Sequence, residues 1–208
     1  MEEILHSILT HWPEFRRELP WRNLSDPWKI FLSELLLLQT DAIKASSTYA
    51  TIVEQIPDPY SVLEMGVEKL AKLLRPLGLH KLRAKWLFEA AKCIIEEYNG
   101  IIPVDKEKLL KIPGIGNYIA SVIAICCGKT ASPLDVNIAR VLSRVFLGKD
   151  PPTRYSYDKI LRDMSMRIKW SRELLYAILD FAAEICKSKN PMCNKCPIHE
   201  SCAYFKEA

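Results

Sequence analysis

The stretch Leu110-Lys111-Ile112-Pro113-Gly114-Ile115-Gly116-Asn117-Tyr118-Ile119-Ala120 decides how the rest of the chain is read. Residues 105–111 carry helical periodicity, and so does the small-residue run 117–127, so the stretch joins two helices through a Gly-x-Gly turn. Pro113 presets φ for the first corner, and Gly114 can take the positive φ of the second. Without Cβ atoms at 114 and 116 a phosphate can come close to the backbone. The N–H groups that open the following helix then face the anion, with the helix dipole in support. Ala120 and Ser121 are small enough for close packing. The arrangement suits a grip on DNA backbone that reads no sequence, although a plain interhelical turn uses the same residue types.

Outward from this turn the chain is helical in both directions. Residues 2–17 read as a first helix, ended by the turn Leu19-Pro20-Trp21-Arg22. Asp26-Pro27 opens an apolar helix from Trp28 to about Thr40, with Asp as cap and Pro in the first turn. Helices over 41–55, near 60–65 and 67–75, and over 81–98 follow. The last of these has Leu82, Trp86, Leu87, Ala90, Cys93, Ile94 and Tyr98 on its core side and Asn99-Gly100 as its stop. Beyond the hairpin, helices from Asp135 to Phe146, over 155–168 and over 171–185 precede a cysteine loop at 186–208. No segment alternates with period two. The expectation is an all-α fold of about ten helices in two lobes. One lobe spans 23–130 and holds the hairpin at 105–128; residues 1–22 and 131–208 make the other.

Composition bounds the function. The chain has 208 residues, enough at roughly 100–200 per domain for one domain or two intimate subdomains. Its longest aliphatic run, Leu35–Leu38, is far short of the roughly 20 residues of a membrane span. The acidic start MEEILHSILT does not read as a signal peptide, so an intracellular protein is expected, in the cytoplasm or on the nucleoid. The net charge of +4 is mild, but residues 72–92 hold six bases (Lys72, Arg75, Lys81, Arg83, Lys85, Lys92) against Glu89. That segment suits a polyanion, or is simply a solvated helix face.

Two further features carry chemistry. In Asp135-Val136-Asn137 the aspartate is a natural helix cap. Facing a cleft, the same carboxylate could stabilise positive charge on a sugar as a flipped base departs, or orient a water. Asn137 could hold that carboxylate or a phosphate. Cys186-x6-Cys193-x2-Cys196-x5-Cys202 gathers four of the seven cysteines within 17 residues. Four thiolates can hold zinc or an iron–sulfur cluster. Cys93, Cys126 and Cys127 read as small apolar helix residues.

Taken in order, the hairpin 112–116, the Asp135 segment and the cysteine tail resemble the helix-hairpin-helix DNA glycosylase superfamily, in its iron–sulfur branch that contains endonuclease III. The similarity runs from about Ile8 to Phe205. It implies a two-lobed all-α fold, a [4Fe–4S] cluster on Cys186, Cys193, Cys196 and Cys202, base flipping into a cleft, and Asp135 as the catalytic carboxylate. It also implies that Pro113, Gly114, Ile115, Gly116 and Asn137 contact DNA. Strand-cutting members carry a lysine two residues after the second glycine; here Tyr118 stands there, and a phenol forms no imine. The resemblance therefore implies a monofunctional glycosylase without efficient β-lyase activity.

The N-terminal half resembles the branch of the mismatch-specific adenine and thymine glycosylases. Leu19-Pro20-Trp21-Arg22, Asp26-Pro27-Trp28 and Ser33-Glu34-Leu35-Leu36-Leu37-Leu38-Gln39-Thr40 carry this likeness. By analogy Glu34 and Tyr118 line the base pocket, Gln39 fills the gap left by the flipped base, and Leu79 of Gly78-Leu79 is a wedge against the widowed guanine. The adenine enzymes usually carry an additional C-terminal domain and paired glutamines before the threonine; this chain stops six residues after Cys202 and has Leu38-Gln39. The expected activity is removal of thymine or uracil opposite guanine, leaving an abasic site for a downstream endonuclease, by a monomer acting on mismatched double-stranded DNA. The rival readings are an adenine glycosylase lacking its extra domain, a strand-cutting endonuclease III-like enzyme, and a non-catalytic DNA-binding module.

Overall fold

Short polar side chains set where most of the helices begin. In this computed structural model, which describes residues 1–207, Asp26, Asp41, Asp58, Asp105, Asp135, Asp158 and Ser171 each accept a backbone N–H from the first turn of the helix that follows. Each such cap contributes on the order of 1 kcal/mol. In chain order the helices are α1 (Glu2–Thr10), α2 (Trp12–Phe15), α3 (Pro27–Leu37), α4 (Ala42–Gln55), α5 (Pro59–Leu73), α6 (His80–Tyr98), α7 (Lys106–Leu109), α8 (Asn117–Cys126), α9 (Val136–Leu147), α10 (Lys159–Arg167), α11 (Arg172–Glu184) and α12 (Ala203–Glu207). Short 3-10 turns link several of them, and the described residues contain no strand. None of these helices is long and apolar enough to cross a membrane.

Several elements depart from the sequence expectation. The helix expected over 2–17 breaks at His11, because Pro13 brings no N–H to continue the ladder and the chain restarts as α2. By contrast, the two short helices expected at 60–65 and 67–75 are there: Gly66, at φ 74° and ψ 158°, lies outside helical geometry and divides α5 into them. On α6 the buried stripe is turned by one residue. Leu82, expected in the core, is 42% exposed, and Arg83 is fully buried with Leu87, Ala90, Ala91 and Ile94. The other five bases of the 72–92 segment are exposed.

The chain divides into two compact units, Glu18–Lys129 on the one hand and Met1–Arg17 with Thr130–Ala208 on the other. In the first, α3 packs on α4 and α8, and α5 on α6. Phe31, Leu32, Leu35, Leu36, Leu70 and Leu87 make its dry core. Fully burying side chains of this size contributes about 1.5–3 kcal/mol each. In the second, α9 packs on α11 and α12, and α1 on α11. The buried Asp180 of α11 explains why the two ends of the chain share a unit: Arg17 Nε donates to it at 2.7 Å and Trp12 Nε1 at 2.9 Å.

Candidate functional site

The hairpin forms as the sequence suggests, but its glycines answer different needs. Gly114 takes φ 81°, which only glycine adopts without strain; a Cβ there would meet nothing closer than Trp86 Cβ at 3.5 Å. Gly116 has an ordinary extended backbone, φ −87° and ψ 176°, and a Cβ there would point into open space. Pro113, Gly114 and Gly116 are exposed. Ile115 is buried, and its N–H is spent on Ile112 O at 3.1 Å, so it anchors the turn from inside. No side chain caps α8, so the N–H groups at its start stand at the exposed glycine edge. Open donors and missing Cβ atoms together suit a phosphate oxygen.

Glu34 and Tyr118 lie on α3 and α8, a packed pair of helices. Glu34 is 6% exposed, flanked in sequence by the core residues Phe31, Leu32, Leu35 and Leu36, so a carboxylate lies within the apolar face of this unit. Tyr118, in the first turn of α8, is half-buried. Gln39 and Leu79 are exposed, and both occupy the left-handed region, at φ 51° and 48°. Each sits at a loop immediately beside a helix, Gln39 after α3 and Leu79 before α6.

In the other unit Asp135 is the cap of α9. Its Oδ1 accepts from the Ile138 N–H at 2.7 Å, and its Oδ2 from Asn137 Nδ2 at 2.8 Å. Burial raises its proton affinity above the usual carboxylate range, although these hydrogen bonds and the charge of Arg140 pull the other way. The strand of chain leading into it is pinned as well: Ser165 Oγ donates to Pro133 O at 2.7 Å and accepts from Ser132 Oγ at 2.8 Å. Tyr155 stands within the field of Asp135, and burial and that negative charge raise its phenol.

Arg140 is the functional neighbour that sequence reading passed over. One turn after Asn137, it donates from Nη2 to Asn137 Oδ1 at 3.2 Å and to Ala182 O at 2.8 Å, and from Nε to Cys186 O at 2.8 Å. The spacing Asp135, Asn137, Arg140 at the start of one helix is the signal that could have found it. Four residues on, Arg144 donates to Lys187 O at 2.7 Å and to Ser188 O at 3.2 Å, and its Nη1 stands 3.9 Å from Cys186 Sγ. Helix α9 thus carries the Asp135 cap and two arginines that hold the cysteine loop.

Cys186, Cys193, Cys196 and Cys202 all line one cavity, closed by Phe181, Ile185 and Ile198. Burial pushes the Cys196 thiol up to about 11 and raises Cys186, against the pull of Arg144. Left to themselves these thiols stay protonated at neutral pH; a bound cationic group would hold them as thiolates. The donor set fits such a group: four thiols on one cavity, an arginine beside one sulfur, and the Ile198 N–H bonded to another. Among the described residues no three His, Cys, Asp or Glu side chains are grouped to hold a single metal ion.

Comparison with known proteins places the chain in a family. Residues 32–165 match the model of the HhH-GPD superfamily base excision DNA repair protein. The thymine-DNA glycosylase of Aeropyrum pernix is 37% identical over 195 residues, 91% of this chain and 87% of that one. The thymine/uracil-DNA glycosylase of Pyrobaculum aerophilum is 31% identical over 97% of this chain and 91% of that one. A solved structure of a thermostable thymine-DNA glycosylase superposes with a TM-score of 0.89 at 28% identity, covering 100% of this chain and 97% of that chain. The chain belongs to the HhH-GPD superfamily of base excision DNA repair proteins.

Proposed function

We propose that the protein is a monofunctional DNA glycosylase that removes thymine or uracil opposite guanine and leaves an abasic site. The observation that carries this reading is the Asp135 carboxylate, fixed by two donors at the head of α9 in surroundings that raise its proton affinity. Relatives named for thymine and uracil support the substrate.

The reaction is hydrolysis. The bond between the sugar C1′ and the pyrimidine N1 breaks, and its electron pair leaves with the base. Charge develops on the sugar ring, and the Asp135 carboxylate stabilises it. Water adds to C1′, and its proton passes to Asp135 and on to solvent while the departing base takes up a proton. Such a positioned group contributes about 10²- to 10⁴-fold. Glu34 and Tyr118 hold the flipped base. The open N–H groups of the hairpin hold phosphate, and Gln39 and Leu79 fill the space the base leaves. Tyr118 offers no amine, so the sugar forms no imine and the strand stays uncut.

Cys186, Cys193, Cys196 and Cys202 would hold a [4Fe–4S] cluster. Four cysteines on one cavity can hold such a group, and the resemblance to the iron–sulfur branch favours it over one zinc ion. When bound, that group supplies a rigid anchor for residues 186–202. The protein acts as a monomer on mismatched double-stranded DNA in the cytoplasm or nucleoid, and an abasic-site endonuclease takes its product.

A panel of duplexes with one G·T, G·U, A·G or A·8-oxoguanine pair tests this function. Hot alkali should reveal abasic sites opposite guanine in the first two, and borohydride should trap no covalent adduct. Release of adenine alone would transfer the protein to the adenine branch, where the buried Glu34 would protonate the leaving purine. No release from any duplex would leave a DNA-binding module.

A further inference from the structure

Arg83 comes from the basic segment of the sequence, yet it is fully buried, and its guanidinium is spent on three backbone carbonyls and one hydroxyl. Nη2 donates to Thr40 Oγ1 at 2.6 Å and to Leu38 O; these acceptors stand on either side of Gln39. Nη1 donates to Leu77 O and Gly78 O, both at 3.0 Å; these are the two residues before Leu79. Thr40 Oγ1 closes the ring by donating to Leu77 O at 3.1 Å. The only N–H left over is Nε, which has no hydrogen-bond partner among the described residues. One planar fork therefore ties together two loops that lie about forty residues apart in the chain.

Each of those loops presents one exposed residue in the left-handed region, Gln39 at φ 51° and Leu79 at φ 48°. Side chains other than glycine rarely adopt this conformation, and they keep it only where the surroundings impose it. Here two of the four hydrogen bonds bracket Gln39, and the other two hold the two residues that lead into Leu79. Burial without a carboxylate partner depresses the proton affinity of Arg83, so placing a cation there is costly. A core position needing only volume would be served by leucine or methionine. The planar fork is what four acceptors on two loops require.

We propose that Arg83 is a positioning residue for base extrusion: it locks Gln39 and Leu79 into one rigid pair, so that filling the gap and wedging the opposite strand occur together. This rests on the glycosylase reading and adds a residue that touches neither base nor sugar. Either loop alone could fold back when its partner moves. Tied through Arg83, the pair enters the stack as a unit, and less ordering is left to be done on binding.

The test uses Arg83→Lys, which keeps the charge but cannot reach four acceptors, and Thr40→Val, which keeps the shape but removes the hydroxyl shared by both loops. 2-Aminopurine placed beside a G·U pair brightens as it unstacks. Arg83→Lys should lower that fluorescence step and the single-turnover excision rate at least fivefold, and Thr40→Val by about half as much. Affinity for an undamaged duplex should stay within twofold of the parent, while the melting midpoint of Arg83→Lys falls because the carbonyls of Leu38, Leu77 and Gly78 lose donors. An unchanged fluorescence step in both variants would overturn the proposal. So would a loss of undamaged-duplex affinity parallel to the loss of excision, which marks a merely structural residue. If Arg83→Lys does not fold, Thr40→Val carries the same comparison. A parent protein that excises neither uracil nor thymine removes the functional reading instead, while the unstacking step with and without Arg83 still decides this one.

Discussion

Asn137 Nδ2 donates to Asp135 Oδ2 at 2.8 Å, and Asn137 is itself held by Arg140. The side chain two residues into α9 thus steadies the carboxylate that starts the helix. This bond stabilises the charged form of Asp135 in a place where burial works against it. Asn137→Ala should therefore move the acidic limb of the excision profile to higher pH. One hydrogen bond nets about 1 kcal/mol, which is somewhat less than one pKa unit. Single-turnover excision of a G·U duplex from pH 4 to 8 reads the shift. A limb that stays in place would dissociate Asn137 from the carboxylate.

Replacing Asp135 itself separates catalysis from stability. Asn caps a helix about as well as Asp, so Asp135→Asn should keep α9. Excision should fall by at least about 10²-fold while duplex binding persists. The stability change has a definite sign. The folded protein raises the Asp135 pKa, so it binds that proton more tightly than the unfolded chain does. The stability linked to the proton is complete below the unfolded pKa and is lost as pH rises through the folded one. Above the folded pKa the parent has lost it, and Asp135→Asn, which has no charge to bury, should there melt no lower than the parent and slightly higher. Near pH 3 the two should converge. Thermal melts on both sides of that pKa check this.

The two hairpin glycines should respond in opposite ways. Gly114→Ala forces a Cβ into φ 81°, which costs about 1–2 kcal/mol, and should lower the melting midpoint. Gly116→Val meets no such strain, and its Cβ has no neighbour within 4 Å, so the fold should be intact. Its side chain would stand at the exposed edge where the α8 N–H groups open, and duplex affinity should fall about tenfold, or 1.4 kcal/mol. Melting and binding measured on both variants distinguish a phosphate site from an ordinary turn. Equal duplex affinity for Gly116→Val and the parent would remove the phosphate role.

What was legible in the sequence was local and periodic. The Asp26 and Asp135 caps, the Asn99-Gly100 stop and the Gly114 corner each follow from one residue's own stereochemistry. Where a choice depended on distant partners, local reading failed. Leu82 and Arg83 exchange the places that hydrophobicity assigns them, because the carbonyls of Leu38, Leu77 and Gly78 are brought around position 83 only by the folded loops. Arg140 escaped notice for a similar reason. Its acceptors Ala182 and Cys186 lie more than forty residues away, and an arginine on a helix reads as surface until they are known. The site's residue types were visible; the arginines that hold them were not.

Arg140 also gives the cysteine loop a testable dependence on α9. It is 7% exposed and donates to two carbonyls, Cys186 O and Ala182 O, besides Asn137. Arg140→Met keeps most of the apolar stem but leaves those carbonyls without their donor, at about 1–3 kcal/mol for each buried group left unsatisfied. The loop that begins at Cys186 should then open more readily. A bound iron–sulfur group would show as absorbance near about 400 nm. In Arg140→Met that absorbance should bleach faster than in the parent during exposure to a chelator, and Asp135 should lose its steady partner Asn137 at the same time. The acidic limb of excision should therefore move upward in pH, and further than in Asn137→Ala, since the charge of Arg140 beside Asp135 is lost as well as the steadying of Asn137. Equal bleaching rates would show that Arg140 does not hold the loop, and a limb that stays in place would separate Arg140 from the carboxylate.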